Sequence, residues 1–266
     1  MASPENTSSE TPLLSVKDVT VRFVNLIALD GVSFDIPRNS IFGLIGPNGA
    51  GKTTLFNCLS RIVPLHSGEI VMNGTSISGL PAHAVPHLGM ARTFQNLAMF
   101  GSMSVLENIL VGAHGRLKSG VFSSSLRLPA VSAEEDGILA EAEELARYLE
   151  LWEVRYRNVS DLPFGTRKRV ELARALIQKP RMLLLDEPAA GLTHSEVEEL
   201  GHTIANIRDR FKLTVLLVEH HMGLVMRICD RLAVLNFGRL IGEGAPEEVR
   251  TMPDVVEAYL GASRHG

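Results

Sequence analysis

Cysteine, basic charge and long hydrophobic runs are all in short supply in this chain of 266 residues. The two cysteines, Cys58 and Cys229, are too few for a disulfide framework, and neither lies in a close Cys/His cluster of the kind that binds metals. No apolar run approaches the roughly 18 residues of a membrane-spanning helix. Lys and Arg number 26 against 30 Asp and Glu, and this net charge of −4 argues against a nucleic-acid partner. A protein of a reducing compartment that binds no nucleic acid is therefore expected.

The composition that remains is typical of a folded globular protein. Apolar residues make up 45% of the chain and charged residues 21%, values that exclude a disordered or fibrous protein. The length fits one large domain, or a core domain with a smaller lobe. Residues 1–11 are polar and lack the apolar stretch of a signal peptide, so they are predicted to form a flexible N-terminal tail.

The first 75 residues carry the patterns of β-strands and of a single helix. Alternating or continuous apolar residues, punctuated by Gly, Pro and Asn, predict strands at 19–23, 32–36, 41–45 and 69–72. The Asn73-Gly74 pair predicts a hairpin turn. A helix is predicted over 52–63, where Pro64 ends it.

The middle of the chain predicts helices, and the last third returns to alternating strands and helices. Helices are expected at 104–114, from a Ser132…Glu135 capping box onward, and at 166–178, whereas 115–131 shows no period. After residue 181 we predict strands at 182–185, 214–218, 232–236 and 239–243, a helix at 195–211 opened by a Ser195…Glu198 capping box, and two short C-terminal helices. The layout is an α/β core interrupted by an all-helical insertion from about residue 96 to 180.

The segment between the strand at 41–45 and the following helix matches G-x-x-x-x-G-K-[ST] in full. Glycines let backbone N–H groups curl around an anion, and the helix N-terminus adds its partial positive charge. Lys52 can reach the β- and γ-phosphates, and Thr53 can ligate Mg²⁺. A chance match has odds of roughly one in a hundred at this composition, and the strand–loop–helix context lowers them further. The motif predicts nucleotide binding by Gly46, Pro47, Asn48, Gly49, Ala50, Gly51, Lys52, Thr53 and Thr54.

Two carboxylates follow the apolar run at 182–185. Asp186 can hold Mg²⁺ through water, and Glu187 can act as general base toward the γ-phosphate. Taken alone, such a run is as readily a strand that meets a turn. With the phosphate loop upstream, we interpret it as a Walker B motif with an adjacent base.

With these motifs the sequence resembles the ATP-binding subunit of an ABC transporter over about residues 12–262. The resemblance implies a P-loop NTPase (RecA-like) α/β core at 12–95 and 181–262, with an antiparallel β subdomain and an all-helical subdomain inserted at 96–180. It also implies that Phe23 stacks on adenine, that Gln95 touches Mg²⁺ and relays the nucleotide state, and that His220 contacts the γ-phosphate. The alternatives are that Phe23 is a core strand residue and that His220 merely caps a strand.

The signature loop of the family is similar here but not regular. Leu162 and Gly165 match the usual Leu-Ser-Gly-Gly-Gln and imply a contact with nucleotide across a dimer, whereas Pro163 and Thr166 replace Ser and Gln. Two further positions, Thr193 and His221, stand where relatives usually carry acidic residues. These departures predict a heterodimer, in which a partner with a more regular signature completes the site of this chain. The alternative is a competent homodimer, in which the remaining backbone donors of the loop suffice.

Three segments resemble the larger ATPase of branched-chain amino-acid importers: 89–96, the Ala-Ala-Gly-Leu loop at 189–192, and 253–261. The resemblance implies two different ATPases, two transmembrane permease subunits and an extracytoplasmic solute-binding protein. It places the chain at the cytoplasmic face of the cell membrane as a peripheral subunit. The alternatives are the ATPase of another ABC transporter, for amides, urea or lipids, and an ABC ATPase outside transport.

Overall fold

A computed structural model describes residues 11–93, 99–116 and 129–262, which divide into two compact units. Unit 1 comprises Met1–Leu80 and Cys229–Gly266, and unit 2 comprises Pro81–Ile228. In the described residues the strands are β1 (Leu14–Phe23), β2 (Leu26–Ile36), β3 (Ile41–Ile45), β4 (Ser67–Met72), β5 (Thr75–Ser76), β6 (Met90–Arg92), β7 (Met182–Asp186), β8 (Thr214–Val218), β9 (Arg231–Asn236) and β10 (Arg239–Gly244). The α-helices are α1 (Lys52–Leu59), α2 (Val105–Gly112), α3 (Pro129–Tyr148), α4 (Phe164–Leu176), α5 (His194–Phe211), α6 (Met222–Ile228), α7 (Pro246–Val249) and α8 (Pro253–Ala262).

Unit 1 contains an antiparallel sheet in the order β2-β1-β4-β5. The predicted strands at 19–23 and 32–36 are the ends of the longer strands β1 and β2. The first part of β1 was not predicted, because a register shift between Lys17 and Thr20 and a left-handed Asp18 (φ 48°) break its alternation of apolar and polar residues. The predicted hairpin at Asn73-Gly74 is confirmed, with φ of 50° and 80° as a two-residue turn of this kind requires.

The second layer of strands in unit 1 leads into the phosphate loop. Strand β3 pairs parallel to β9, which pairs antiparallel to β10. Helix α1 ends at Leu59, four residues before the predicted end, because Arg61 adopts a left-handed conformation (φ 58°) that a helix cannot continue through. Cys58 lies buried in this helix, and burial raises the pKa of its thiol to about 11, which keeps it protonated at neutral pH.

Unit 2 holds three parallel strands in the order β8-β7-β6 and the helical segment α2, α3 and α4. Strand β6 was not predicted, because three residues are too few to show a period. Helix α2 is confirmed and is capped by Ser104 and Glu107. Helix α3 begins at Pro129, so the prediction of a Ser132…Glu135 cap was wrong and Ser132 lies inside the helix.

The prediction of a Ser195…Glu198 cap for α5 was also wrong. Thr193 is the N-cap: its Oγ1 accepts a hydrogen bond from the Glu196 N–H (3.4 Å), and the Glu196 carboxylate accepts from the Thr193 N–H (2.8 Å) and hydroxyl (2.7 Å). These hydrogen bonds, the backbone one first, lower the pKa of Glu196. Thr193 and Glu196 lie two residues upstream of the predicted pair and have the same spacing. The sequence pattern alone therefore does not distinguish the two pairs.

The α/β fold class predicted from the sequence is confirmed, whereas the predicted subdomain boundaries near residues 95 and 180 stay a prediction. None of the helices in the three described ranges combines the length and the apolar character needed to cross a bilayer.

Candidate active site

The phosphate loop of unit 1 folds around the side chain of its own lysine. The chain leaves β3 at Ile45, turns through three glycines with positive φ (Gly46, Gly49 and Gly51), and enters α1 at Lys52. Lys52 is 5% exposed, and its Nζ donates to the carbonyl oxygens of Gly46 (2.6 Å) and Pro47 (2.9 Å). Thr53 and Thr54 follow in the first turn of the helix, so N–H groups without intrahelical acceptors gather at this end.

Neighbouring strands of unit 1 hold the loop so closely that glycine is required. A Cβ at Gly51 would lie 2.7 Å from the Ala28 oxygen and 2.9 Å from Leu29 Cδ2. The Gly238 N–H also donates to the Ala50 oxygen (3.0 Å). The loop is therefore a rigid part of the unit, which is what recognition of a phosphate chain by backbone groups needs.

A residue of the last helix also reaches the phosphate loop. Tyr259 in α8 is partly buried, and this burial raises the pKa of its phenol. A hydrogen bond from the backbone N–H of Gly46 offsets part of that rise. The helix comes this close because Gly242 in β10 leaves room for Met252 and Val255, whose side-chain atoms would lie 2.9 and 2.8 Å from a Cβ there. Tyr259 was not predicted as a site residue, since an aromatic residue in a short helix carries no motif.

Phe23 ends β1 in the same unit and is 46% exposed. It pairs with Leu26, and Val24 and Ile27 beside it are exposed too, so the hairpin presents an apolar tip to solvent. A core role for Phe23, the alternative left open by the sequence, is wrong. Its ring is available to stack on a planar ligand.

Unit 2 brings together the acidic strand end and the predicted switch histidine. Strands β7 and β8 are in parallel register, Asp186 opposite Val218, so both chains leave the sheet at the same edge. Glu187 turns there with φ 48°, and its N–H donates to the Val218 oxygen (2.8 Å). Nε2 of His220 donates to Oε1 of Glu187 across 2.9 Å. The pairing of strands therefore places the candidate base beside the histidine.

A buried carboxylate that the sequence analysis overlooked fixes this arrangement. Glu219 is 4% exposed, and its Oε1 accepts from the Ala189 N–H (2.6 Å). Its Oε2 accepts from the N–H groups of His220 (2.8 Å) and His221 (3.0 Å). One side chain thus joins the loop after β7 to the loop after β8. A Glu next to a His is common in any sequence, which is why no pattern revealed it.

Replacing Glu219 by alanine is expected to lower the free energy of unfolding by about 3 kcal/mol, because three backbone N–H groups lose a charged acceptor. ATP hydrolysis should fall as well, since His220 loses its anchor. Denaturant unfolding and steady-state hydrolysis measure the two effects. Glu219→Gln keeps one carbonyl oxygen, so its free energy of unfolding and its rate of hydrolysis should lie between those of the native protein and the alanine variant. An alanine variant as stable as the native chain would contradict this role.

Asp186 has a partner as well: Nη2 of Arg92 lies 3.0 Å from its Oδ2. Both side chains are nearly buried, with exposed fractions of 11% for Arg92 and 8% for Asp186. No role was predicted for Arg92 from the sequence. The third predicted metal-contact residue, Gln95, lies outside the described residues.

The irregular signature loop begins α4. Leu162 is buried, Pro163 is the N-cap, and no side chain caps the helix. A Cβ at Gly165 would lie 2.8 Å from Oε1 of Glu196, so the start of α4 lies close to the side chain of Glu196 in α5. The Thr193 that replaces the usual acidic residue is the N-cap of α5 described above.

Two parts of the chain match known protein families. A family described as ABC transporter matches residues 29–190, and one described as branched-chain amino acid ATP-binding cassette transporter matches residues 239–265. The chain belongs to the ABC transporter family of ATP-binding proteins. It is a nucleotide-binding ABC ATPase with a P-loop NTPase fold, as the resemblance implied.

Individual relatives resemble the chain over almost its whole length. The high-affinity branched-chain amino acid transport ATP-binding protein LivG of Salmonella typhimurium is 43% identical, covering 94% of this chain and 98% of the relative. BraF of Pseudomonas aeruginosa, which has the same description, is 40% identical with the same coverage. Among solved structures, the ATP-binding cassette MJ1267 of an ABC transporter superposes with a TM-score of 0.82 at 29% identity, covering 94% of this chain and 99% of that one. Its ADP conformation gives a TM-score of 0.80 at 28% identity, covering 95% and 100%.

Proposed function

We propose that this chain is the ATP-hydrolysing subunit that energises an importer for branched-chain amino acids. The observation that carries the proposal is the identity of 40–43% with LivG and BraF over 94% of the chain. The match of residues 239–265 to the branched-chain family supports it independently, because this segment lies outside the general ABC match. Working at the cytoplasmic face of the membrane follows from this role.

The phosphate loop would bind the nucleotide in the following way. Backbone N–H groups of the loop from Gly46 to Thr54, in which Pro47 has none, and the Lys52 ammonium would cradle the phosphates, and Phe23 would stack on adenine. Because the loop is held by close contacts with β2, its backbone donors are already oriented before ATP arrives, whereas Lys52 would turn its Nζ from the oxygens of Gly46 and Pro47 toward the phosphates. The unit thus supplies phosphate binding without a large rearrangement.

Mg²⁺ suits the oxygen donors that these residues offer. It is a hard cation that binds one or two carboxylates together with substrate phosphates and water, and Asp186 supplies one nearly buried carboxylate at the end of β7. The Thr53 hydroxyl, Gln95 and Asp186 would hold it. When bound, it neutralises charge on the phosphates.

Glu187 and His220 would carry out the chemical step. Glu187 would accept a proton from the attacking water, and His220, hydrogen-bonded to it at 2.9 Å, would orient the carboxylate and contact the γ-phosphate. Glu219 holds the backbone of His220 in place for this task.

A test of the transported solute is uptake by cells that lack their own branched-chain importer. The chain would be expressed with its neighbouring permease subunits and solute-binding protein, and labelled leucine, acetamide and urea would be compared. Leucine uptake that disappears in the Glu187→Gln variant is the expected result. Uptake of urea or amide instead would overturn the solute while leaving ATP-driven transport intact.

We further propose that the chain works in a heterodimer, as one of two different ATPases beside two permease subunits. Pro163 has neither a hydroxyl nor a backbone N–H, so one or two donors to a phosphate bound by the partner are missing. A hydrogen bond to a charged group contributes about 1.5–3 kcal/mol, or about ten- to a hundredfold in dimer stability. Gly165 and the start of α4 remain, so Leu162–Gly165 would still contribute weakly.

Sedimentation of the Glu187→Gln variant with Mg-ATP tests the heterodimer. Weak self-association, strengthened by adding Pro163→Ser and Thr166→Gln, is expected. A tight homodimer of the unmodified signature, with native turnover equal to that of the whole transporter, would contradict it.

A further inference from the structure

The ion pair between Arg92 and Asp186 joins two neighbouring strands of unit 2. Strand β6 runs parallel to β7 with Arg92 opposite Leu184, and the Thr93 N–H donates to the Leu184 oxygen at 2.9 Å. Arg92 is the last residue of β6 and Asp186 the last residue of β7. Both side chains therefore start at the same edge of the sheet and meet at 3.0 Å between Nη2 and Oδ2.

This pair is buried more deeply than the ion pair between Arg116 and Glu141 in the same unit. The side chains are 11% and 8% exposed, compared with 27% and 33% for Arg116 and Glu141. Coulomb attraction is only weakly screened at such a depth, and a buried carboxylate that loses its cation is strongly disfavoured. Arg92 therefore has a large influence on the charge that Asp186 presents to any other cation.

Asp186 is also the residue that would hold Mg²⁺ under the proposed function. A divalent cation at this carboxylate must either take Oδ2 from the guanidinium or share the carboxylate with it, and in both cases two positive groups lie close together. Since arginine stays protonated at every accessible pH, the repulsion cannot be relieved by loss of a proton.

We propose that Arg92 is a positioning residue that neutralises Asp186 when no metal is bound and competes with Mg²⁺ for this carboxylate. The inference rests on the proposed function in one respect, the role of Asp186 in holding the metal. Arg92 thereby sets the Mg²⁺ concentration at which nucleotide binds as its metal complex. It stabilises the metal-free unit and would weaken binding of the metal at Asp186.

The test replaces Arg92 by methionine, which keeps much of the length and removes the charge. Mn²⁺ binding in the presence of ADP, followed by electron paramagnetic resonance of the free ion, reports on the metal without any hydrolysis. Arg92→Met is expected to lower the Mn²⁺ concentration for half-saturation about tenfold, while affinity for ADP in EDTA stays unchanged. The melting temperature of the metal-free variant should drop, and Mn²⁺ with ADP should restore more of it than in the native protein.

Controls separate this inference from the proposed function. Arg116→Met removes an ion pair of the same unit and should leave the Mn²⁺ midpoint unchanged. Asp186→Asn should abolish the metal response in the native and the Arg92→Met backgrounds. If Asp186→Asn leaves the native metal response intact, the proposed metal role of Asp186 is wrong.

If Asp186→Asn acts as expected but Arg92→Met binds Mn²⁺ equally or more weakly than native, the competition by Arg92 is overturned and the pair serves only to hold or orient the strands. Arg92→Gln gives the same comparison should the methionine variant fail to fold. Arg92→Lys keeps the charge, so its Mn²⁺ midpoint should be closer to the native value than the midpoint of the methionine or the glutamine variant.

Discussion

Replacing Glu187 by glutamine is expected to slow ATP hydrolysis by about 10²–10⁴-fold and to leave ATP affinity unchanged. The amide cannot accept a proton from water, but it has the shape of the carboxylate and keeps an oxygen for the hydrogen bond from His220 at 2.9 Å. Single-turnover hydrolysis and equilibrium binding of ATP, measured on the same preparation, separate the two effects.

A matched control is Glu198→Gln in the same unit. Glu198 is an exposed residue of α5 that pairs with Arg227, so its replacement should leave both rate and affinity as in the native protein. Native turnover in the Glu187→Gln variant would show that another group takes the proton.

Replacing Lys52 by methionine is expected to lower the rate of ATP hydrolysis by about 10²–10³-fold, since a positive donor aimed at the charge of the transferring phosphoryl group is lost. Nucleotide affinity should fall about ten- to a hundredfold. The loop also loses the two hydrogen bonds from Nζ to the oxygens of Gly46 and Pro47, so its order declines even without nucleotide. Calorimetric titration with ADP and steady-state hydrolysis measure these losses.

Lys17→Met is the control for this variant. Lys17 is an exposed residue of β1 in the same unit, and its replacement removes one positive charge without touching the loop. If Lys52→Met and Lys17→Met bound ADP equally well, the ammonium of Lys52 would have no part in phosphate binding.

The features predicted well from sequence are those in which one short segment suffices. The phosphate loop needs a strand, three glycines, a lysine and a helix start in immediate succession, and all of them lie within 41–59. The hairpin at Asn73-Gly74 is equally local, because its two residues tolerate the required positive φ. The first residues of helices were harder to predict, since Thr193 and Ser195 offer the same capping chemistry within three residues.

The residues that the sequence did not reveal act on partners far along the chain. Arg92 meets Asp186 across 94 positions, and Glu219 reaches Ala189 across 30. Each is an ordinary residue type with no motif around it. The pairing of parallel strands determines which residue each of them contacts, and no local sequence pattern predicts that pairing.

By itself, therefore, the sequence determined the fold class, the phosphate loop, and the carboxylates of the acidic strand end, because local backbone conformation and residue chemistry decide these. Only the tertiary structure decided that Glu187 pairs with His220, that Glu219 joins their two loops, and that Arg92 neutralises Asp186. Such contacts depend on strand register and on burial, and burial is what makes a charge in unit 2 sensitive to its neighbour. Both are properties of the folded chain as a whole.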